Sequence, residues 1–226
     1  MTSPNAEYPE TRRTWLAEQL QGSAAAREAA QRDLMALYAE PLRRTAQHRF
    51  RLTTEDALDL VLGFFASRWS RPDYFQQWQQ SGMRLRNWLW HGLDFYRREQ
   101  ARRERRLPVA SVVPDVVDPS AADPGVEFER NFAIALVQAA MRRAEAECHA
   151  AGFGQHWAVF AARAAGQPLP TIAAREGLTV NQAQVRLRAP QRRFVAALGD
   201  LLVADGVPGH EVPRAIAELV ATAPTA

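Results

Sequence analysis

Apolar positions in this chain recur three and four residues apart and do not alternate over any useful length, so the pattern predicts helices and no strands. Residues 11–50 read as two helices, with Leu34, Leu37, Tyr38, Leu42 and Ala46 at helical spacing between charged positions. Thr53-Thr54-Glu55-Asp56 reads as a helix start, a hydroxyl at the N-cap with a carboxylate three residues on. The helix predicted after it runs to about residue 68 with a core face of Ala57, Leu60, Val61, Phe64 and Phe65. It carries a second apolar set, Leu58, Leu62 and Trp69, and a helix apolar nearly all round is buried or binds a partner. Residues 69–83 read as a polar, Gln-rich link punctuated by Pro72 and Gly82, and a further helix is predicted over 84–106. Four Pro, one Gly and three Asp (Asp115, Asp118, Asp123) mark 107–125 as a linker. Beyond it come a long amphipathic helix over 126–150 with Phe128, Phe132, Ile134, Leu136, Ala140 and Met141, a helix near 155–165, a two-helix motif at 169–193 and a short helix over 213–221. The expectation is an all-α protein of two small helical domains joined by a flexible linker. The first domain is 1–106, the linker 107–125, the second domain 126–204 and a C-terminal extension 205–226.

Composition narrows the class. The formal charge is only +3, but all 28 basic residues are Arg, whose planar fork suits phosphate. One cysteine, Cys148, excludes an intrachain disulfide and a cysteine zinc cluster. The N-terminus has no apolar signal core and no apolar run is long enough to span a bilayer, so the expectation is a soluble, cytoplasmic protein without membrane insertion. The five histidines, His48, His91, His149, His156 and His210, are scattered, and neither a Gly-rich phosphate loop nor a GxSxG elbow occurs. The expectation is a protein that is not an enzyme and uses no cofactor or metal.

Three segments carry candidate function. In 169–193, Thr171–Glu176 makes a short helix, Gly177-Leu178-Thr179 a turn, and Val180–Arg188 a second helix. Ile172, Ala173 and Leu178 are expected to pack the pair, Gly177 to take a left-handed turn, Thr179 to cap the second helix and Val185 to face inward. Asn181, Gln182, Gln184, Arg186, Arg188 and Arg192 then present amide and guanidinium groups of the kind that read base edges and phosphates. Pro190 is expected to kink or end this helix. The segment 84–106 holds eight Arg against three acids, a net of +5, interleaved with Trp88, Trp90, Phe95 and Tyr96. Cations neutralise phosphates and aromatic rings stack on unpaired bases, although most of Trp88, Leu89 and Phe95 read as core. The third segment is the doubly apolar helix 56–68.

The order of these segments resembles the sigma-70 family of RNA polymerase sigma factors, in the extracytoplasmic-function form that keeps only regions 2 and 4. DALDLVLGFF at 56–65 resembles the region 2.2 motif DAEDLVQEVF. RLRNWLW at 84–90 is similar to the region 2.3–2.4 pattern FRxWL, and IAAREGLTVNQAQV at 172–185 to the region 4.2 pattern IAxxLGxSxxxVxxxL. The likeness covers about residues 11–200 and includes an early Thr11-Arg12-Arg13 segment. It implies that helix 56–68 docks on the clamp helices of the beta-prime subunit of core RNA polymerase through Asp56, Leu58, Asp59, Leu62, Gly63 and Phe65. The loop 70–86 and the Arg-rich helix would melt and hold the −10 promoter element through Arg84, Arg86, Asn87, Trp90, Arg97, Arg98 and Arg102. The second helix of the two-helix motif would read the −35 element beside the beta flap, and the acidic linker would pass near the RNA exit path.

Leu58, Leu62 and Gly63 stand where the family pattern has polar residues. Two explanations follow: a more hydrophobic docking surface, or a free protein that binds polymerase weakly and needs activation. Some relatives are switched by Ser/Thr kinases beside region 2.2, which makes Thr53 and Thr54 phosphorylation candidates, with a phosphate favoured at a helix N-terminus. On capping preference alone Thr53 reads first as a plain N-cap. An anti-sigma factor is the other form of control the resemblance implies. The competing reading is a helix-turn-helix regulator or protein-interaction module that does not start transcription.

Overall fold

The computed structural model describes residues 19, 22–71, 73–106 and 124–222. The fold is all-α, and no strand occurs among the described residues. The Thr11-Arg12-Arg13 segment, most of the first expected helix and linker residues 107–123 lie outside the described residues. Two compact units divide between Ala135 and Leu136.

In the first unit, α1 (Ala24–Phe50) starts where the Ser23 hydroxyl accepts from the Ala26 N–H at 3.2 Å. Its buried stripe is Ala30, Leu34, Leu37, Tyr38, Pro41, Leu42, Thr45 and Ala46. Pro41 sits within the helix and removes one backbone donor. One turn on, the Thr45 hydroxyl donates to the Pro41 carbonyl at 2.9 Å. The helix closes at Arg51, left-handed at φ 52°, with the Leu52 N–H reaching back to the Gln47 carbonyl at 3.0 Å in the six-to-one bond of a Schellman end.

α2 (Thr54–Trp69) begins as the sequence predicts: the Thr53 hydroxyl accepts from the Asp56 N–H at 3.1 Å and donates to the Asp56 carboxylate at 2.8 Å. Ala57, Val61, Phe64 and Phe65 are fully buried as α2 packs on α1 and on α4 (Leu85–Arg106). Each buried Phe contributes about 1.5–3 kcal/mol of transfer free energy before entropy is counted. Between α2 and α4 the expected polar link contains a helix instead, α3 (Tyr74–Ser81). Its Gln-rich sequence hides the triplet Tyr74, Phe75 and Trp78 at spacing 0, 1, 4, and all three are buried. The Trp78 indole N–H donates to the Met83 carbonyl at 3.0 Å, and Gly82, at φ 70°, ends the helix.

α5 (Pro124–Ala150) is the long helix expected at the start of a second domain. Its first turns belong to the first unit, because Phe128 and Phe132 are buried against Trp90 and Tyr38 with ring centroids 5.6 and 5.3 Å apart. Three side-chain contacts add to that stacking, His48–Glu127, Arg86–Glu129 and Thr45–Asn131.

The second unit holds the rest of α5, α6 (Gly154–Ala164), α7 (Leu169–Arg175), α8 (Val180–Ala204), a 3-10 turn (Gly209–Glu211) and α9 (Val212–Thr222). Ala144, Cys148 and Trp157 form one core group, and the Trp157 indole N–H donates to Glu145 at 2.9 Å. Burial pushes the Cys148 thiol pKa up, so it behaves as a small apolar group. Val159, Ala162, Ile172, Ala173 and Ala183 form a second group, with Leu169, Leu178 and Leu187 packed against it. Pro190 does not end the helix: α8 continues through it to Ala204, and the proline is itself buried. α9 lies along α8 as the C-terminal element.

Candidate nucleic-acid interface

The two-helix motif is built as its sequence dictates. Ile172 and Ala173 of α7 meet Ala183 of α8 in one core group that Leu178 flanks. The turn depends on Gly177, whose φ of 66° places it in the left-handed region. Thr179 then forms a full capping box: its hydroxyl accepts from the Gln182 N–H at 3.2 Å, and the Gln182 side chain accepts from the Thr179 N–H at 2.9 Å.

This geometry sorts the expected base-reading residues. Asn181, Gln184, Arg188 and Arg192 are exposed and share one face at spacing 0, 3, 7, 11. Gln182 is exposed, but its side-chain oxygen is engaged in the capping box, so it positions the helix. Arg186 is turned partly inward, with Nη1 buried and without a hydrogen-bond partner, and it depresses the neighbouring His156 pKa in addition to burial. Val185 corrects the expectation that it faces the core. Ala183 holds that inward position, and Val185 stands 50% exposed in the middle of the polar face.

The Arg-rich helix is sorted more sharply. Arg84, Arg98 and Arg102 are exposed, and Asn87 is half-buried. Arg98 and Arg97 both pair with Asp94, at 2.5 and 3.8 Å, and the Arg97 guanidinium lies 4.2 Å from the centre of the Phe50 ring. Arg86 and Trp90 are not surface groups. Trp90 is stacked between Phe50 and Phe128, at 5.9 and 5.6 Å. Arg86 binds Glu129 at 2.8 Å and covers the Phe132 ring at 5.1 Å. Phe95, which reads from the sequence as a core residue, is 57% exposed. It lies on one stripe with His91, Arg98 and Arg102, at spacing 0, 4, 7, 11 from His91, an imidazole and two guanidinium groups around an open aromatic ring. The signal was present in the sequence as that spacing, but Trp88 and Trp90 compete for the same role.

Beneath α4, Arg68 of α2 is buried with no carboxylate partner among the described residues. Its guanidinium faces the rings of Phe64, Tyr74 and Tyr96 at 5.6, 5.4 and 5.9 Å. Burial pulls the Arg68 pKa down, and burial pushes the Tyr74 phenol pKa up.

On α2, Leu58 and Leu62 stand 41% and 43% exposed one turn apart. Glu55, Asp59 and Ala66 are exposed on the same face, a mixed acidic and apolar stripe. Asp56 is exposed and holds the cap with Thr53. Two members of the expected docking set lie elsewhere. Phe65 is fully buried in the core. Gly63 is a close-packing residue: a Cβ there would stand 2.8 Å from the Tyr96 hydroxyl. Gly92 plays the same part on α4, where a Cβ would collide with the Tyr74 hydroxyl. Thr53 and Thr54 are both exposed, and Thr54 accepts from the Gln47 amide at 3.1 Å. Gln47 lines a shallow surface hollow with Arg44, His48, Arg51 and Leu52.

Among the described residues no helix is long and apolar enough to cross a membrane, and no three His, Cys, Asp or Glu side chains gather as metal ligands. No protein-family model matches the sequence, and no curated protein or solved structure matches it either.

Proposed function

We propose that the protein is a promoter-recognising sigma factor of the extracytoplasmic-function type, which binds core RNA polymerase and directs where transcription starts. The observation that carries the reading is the helix-turn-helix of the second unit, capped at Thr179 and turned at Gly177, with Asn181, Gln184, Arg188 and Arg192 along one open face. Amide and guanidinium groups in that array suit base edges and phosphates in a major groove. A lone helix-turn-helix fits any DNA-binding regulator. The first unit favours an initiation factor, because the stripe His91, Phe95, Arg98 and Arg102 offers what an unpaired strand needs, cations for phosphates and a ring for a base. The acidic and apolar stripe of Glu55, Leu58, Asp59 and Leu62 is the candidate polymerase-docking surface, aimed at the beta-prime clamp helices. In this reading the helix-turn-helix lies beside the beta flap, and the protein works in the cytoplasm as a non-enzymatic factor.

Control by a kinase or an anti-sigma factor belongs to the same proposal. A phosphate on Thr54 would add about −1.5 to −2 charges at the start of α2 and supply acid where the docking helix has leucine and glycine. Arg44 and Arg51 line the same hollow as Gln47, the residue that holds Thr54.

The test is reconstitution. The purified protein is mixed with bacterial core polymerase, and transcripts made from a fragmented genomic library are sequenced. Discrete start sites that need the protein are expected. Sequence-specific DNA binding with neither co-elution with core enzyme nor new start sites would establish the regulator reading in its place. For control, Thr54→Glu is expected to raise core-enzyme affinity, and affinity equal to wild type for both Thr54→Glu and Thr53→Glu ends the kinase proposal.

A further inference from the structure

Arg86 and Trp90 lie on the nucleic-acid helix α4, and both are covered by residues 124–135 of α5. The cover is chemically specific. Phe128 stacks on the open face of Trp90, with centroids 5.6 Å apart and planes 22° from parallel. Glu129 binds Arg86 at 2.8 Å, and Glu127 binds His48 at 2.9 Å. Asn131 donates to Thr45 at 3.1 Å. Two carboxylates on two basic groups with a ring stacked between them is the arrangement that a single strand presents, phosphates flanking a base.

We infer that residues 124–135 act as an autoinhibitory strap, in which Glu127, Phe128 and Glu129 occupy the basic and aromatic groups that single-stranded DNA would otherwise engage. The inference rests on the reading of α4 as the strand-holding helix. It adds that the open stripe of His91, Phe95, Arg98 and Arg102 is only part of the binding surface, and that Arg86 and Trp90 complete it once the strap leaves. The contacts are graded for that release. The His48 side chain is 67% exposed, so a phosphate can compete with Glu127 there first, where ion pairs are weak and screened, whereas Arg86 is 7% exposed and is reached only when Glu129 lifts away. Phe128 and Phe132 lie deeper and leave last.

The test holds the strap closed reversibly. In the full chain with Cys148→Ala, His48→Cys and Glu127→Cys are joined by a short bismaleimide that contains a disulfide. Binding of a fluorescent oligothymidylate of about 20 nucleotides is read by anisotropy before and after reductant cleaves the linker, so one polypeptide serves as its own folding control. The closed form is expected to bind at least about tenfold more weakly than the released form. In the unmodified protein, amide hydrogen exchange over 124–135 is expected to speed up when the oligonucleotide is added. Equal binding before and after cleavage, or exchange that is unchanged or slowed, overturns the strap. If no form binds the oligonucleotide while the wild type still directs discrete start sites, the strap fails and the initiation reading stands. If both are absent, the initiation reading fails and takes the strap with it.

Discussion

α8 and α4 are both long and rich in arginine, but they differ in how their surfaces are set. On α8 most of the exposed face follows from local rules, with Val185 the exception. Gly177 turns the chain, Thr179 and Gln182 fix the first turn, and Ala183 and Leu187 set the inward side, so Asn181, Gln184, Arg188 and Arg192 must point out. On α4 the face is decided by other elements. Trp90 and Phe95 are both aromatic, five residues apart, and nothing between them in the sequence marks one as core and the other as surface. Phe50 from α1 and Phe128 from α5 enclose Trp90, whereas Phe95 is 57% exposed. Where contacts are local, residue type is a guide to exposure. Where three helices meet, the partner decides.

The largest difference is expected when each of those two aromatics is truncated. Trp90→Ala is expected to destabilise the protein by about 3–5 kcal/mol, because the ring sits within a stack that cannot close over the gap. Phe95→Ala is expected to stay within about 0.5 kcal/mol of wild type while weakening single-strand binding. Urea denaturation and oligonucleotide anisotropy measure the two effects, and similar stability losses for both would erase the distinction between core and surface.

A smaller effect is expected at the α2–α4 contact. Gly63→Ala drives a methyl toward the Tyr96 hydroxyl, at 2.8 Å in the present packing, and is expected to cost about 1–3 kcal/mol. Tyr96→Phe removes that oxygen and should restore most of the loss in the double variant. Additive losses in thermal melts would show that the two residues are not coupled.

On α8 the two kinds of residue separate cleanly. Thr179→Ala is expected to lose about 1 kcal/mol of stability through the broken capping box. Arg188→Ala is expected to leave stability unchanged and weaken binding to a selected DNA site by about 1–3 kcal/mol. Titrations at several salt concentrations check whether Arg188 meets a phosphate, in which case the salt slope falls by about one.

The smallest effect lies on α1 and concerns pH. Hydrogen bonds from Arg43, opposed by burial and assisted by Arg44, lower the Glu40 carboxyl pKa from 4.5 to about 2. A depressed folded-state value means that the stabilisation is present above the unfolded pKa and is lost as pH falls through the window from 4.5 to about 2. Glu40 is half exposed, so solvent screening keeps the gain small. Glu40→Gln should flatten the acid dependence of the melting temperature within that window, losing the small gain at neutral pH and approaching wild type at the acid end.

Residue spacing and cap chemistry determined much of this protein without help from the fold. Helix type, the Thr53 and Thr179 caps, the Gly177 turn and the exposed leucine pair Leu58 and Leu62 all depend on residues within four or five positions of one another, and local physics settles such relations. Only the tertiary structure decided the rest. Tyr74, Phe75 and Trp78 became a buried helix because α2 and α4 offered them an apolar slot, which no count of glutamines reveals. Gly63 is explained by Tyr96, a residue thirty-three positions away, as a close-packing site. Val185 went to the surface although its apolar side chain reads as inward, because Ala183 holds the inward position. Most of all, Arg86 and Trp90 are claimed by Phe128 and Glu129 across a segment of changed composition that reads as a boundary. The pairing of side chains far apart in sequence depends on where the backbone carries them, and a one-dimensional pattern does not record that.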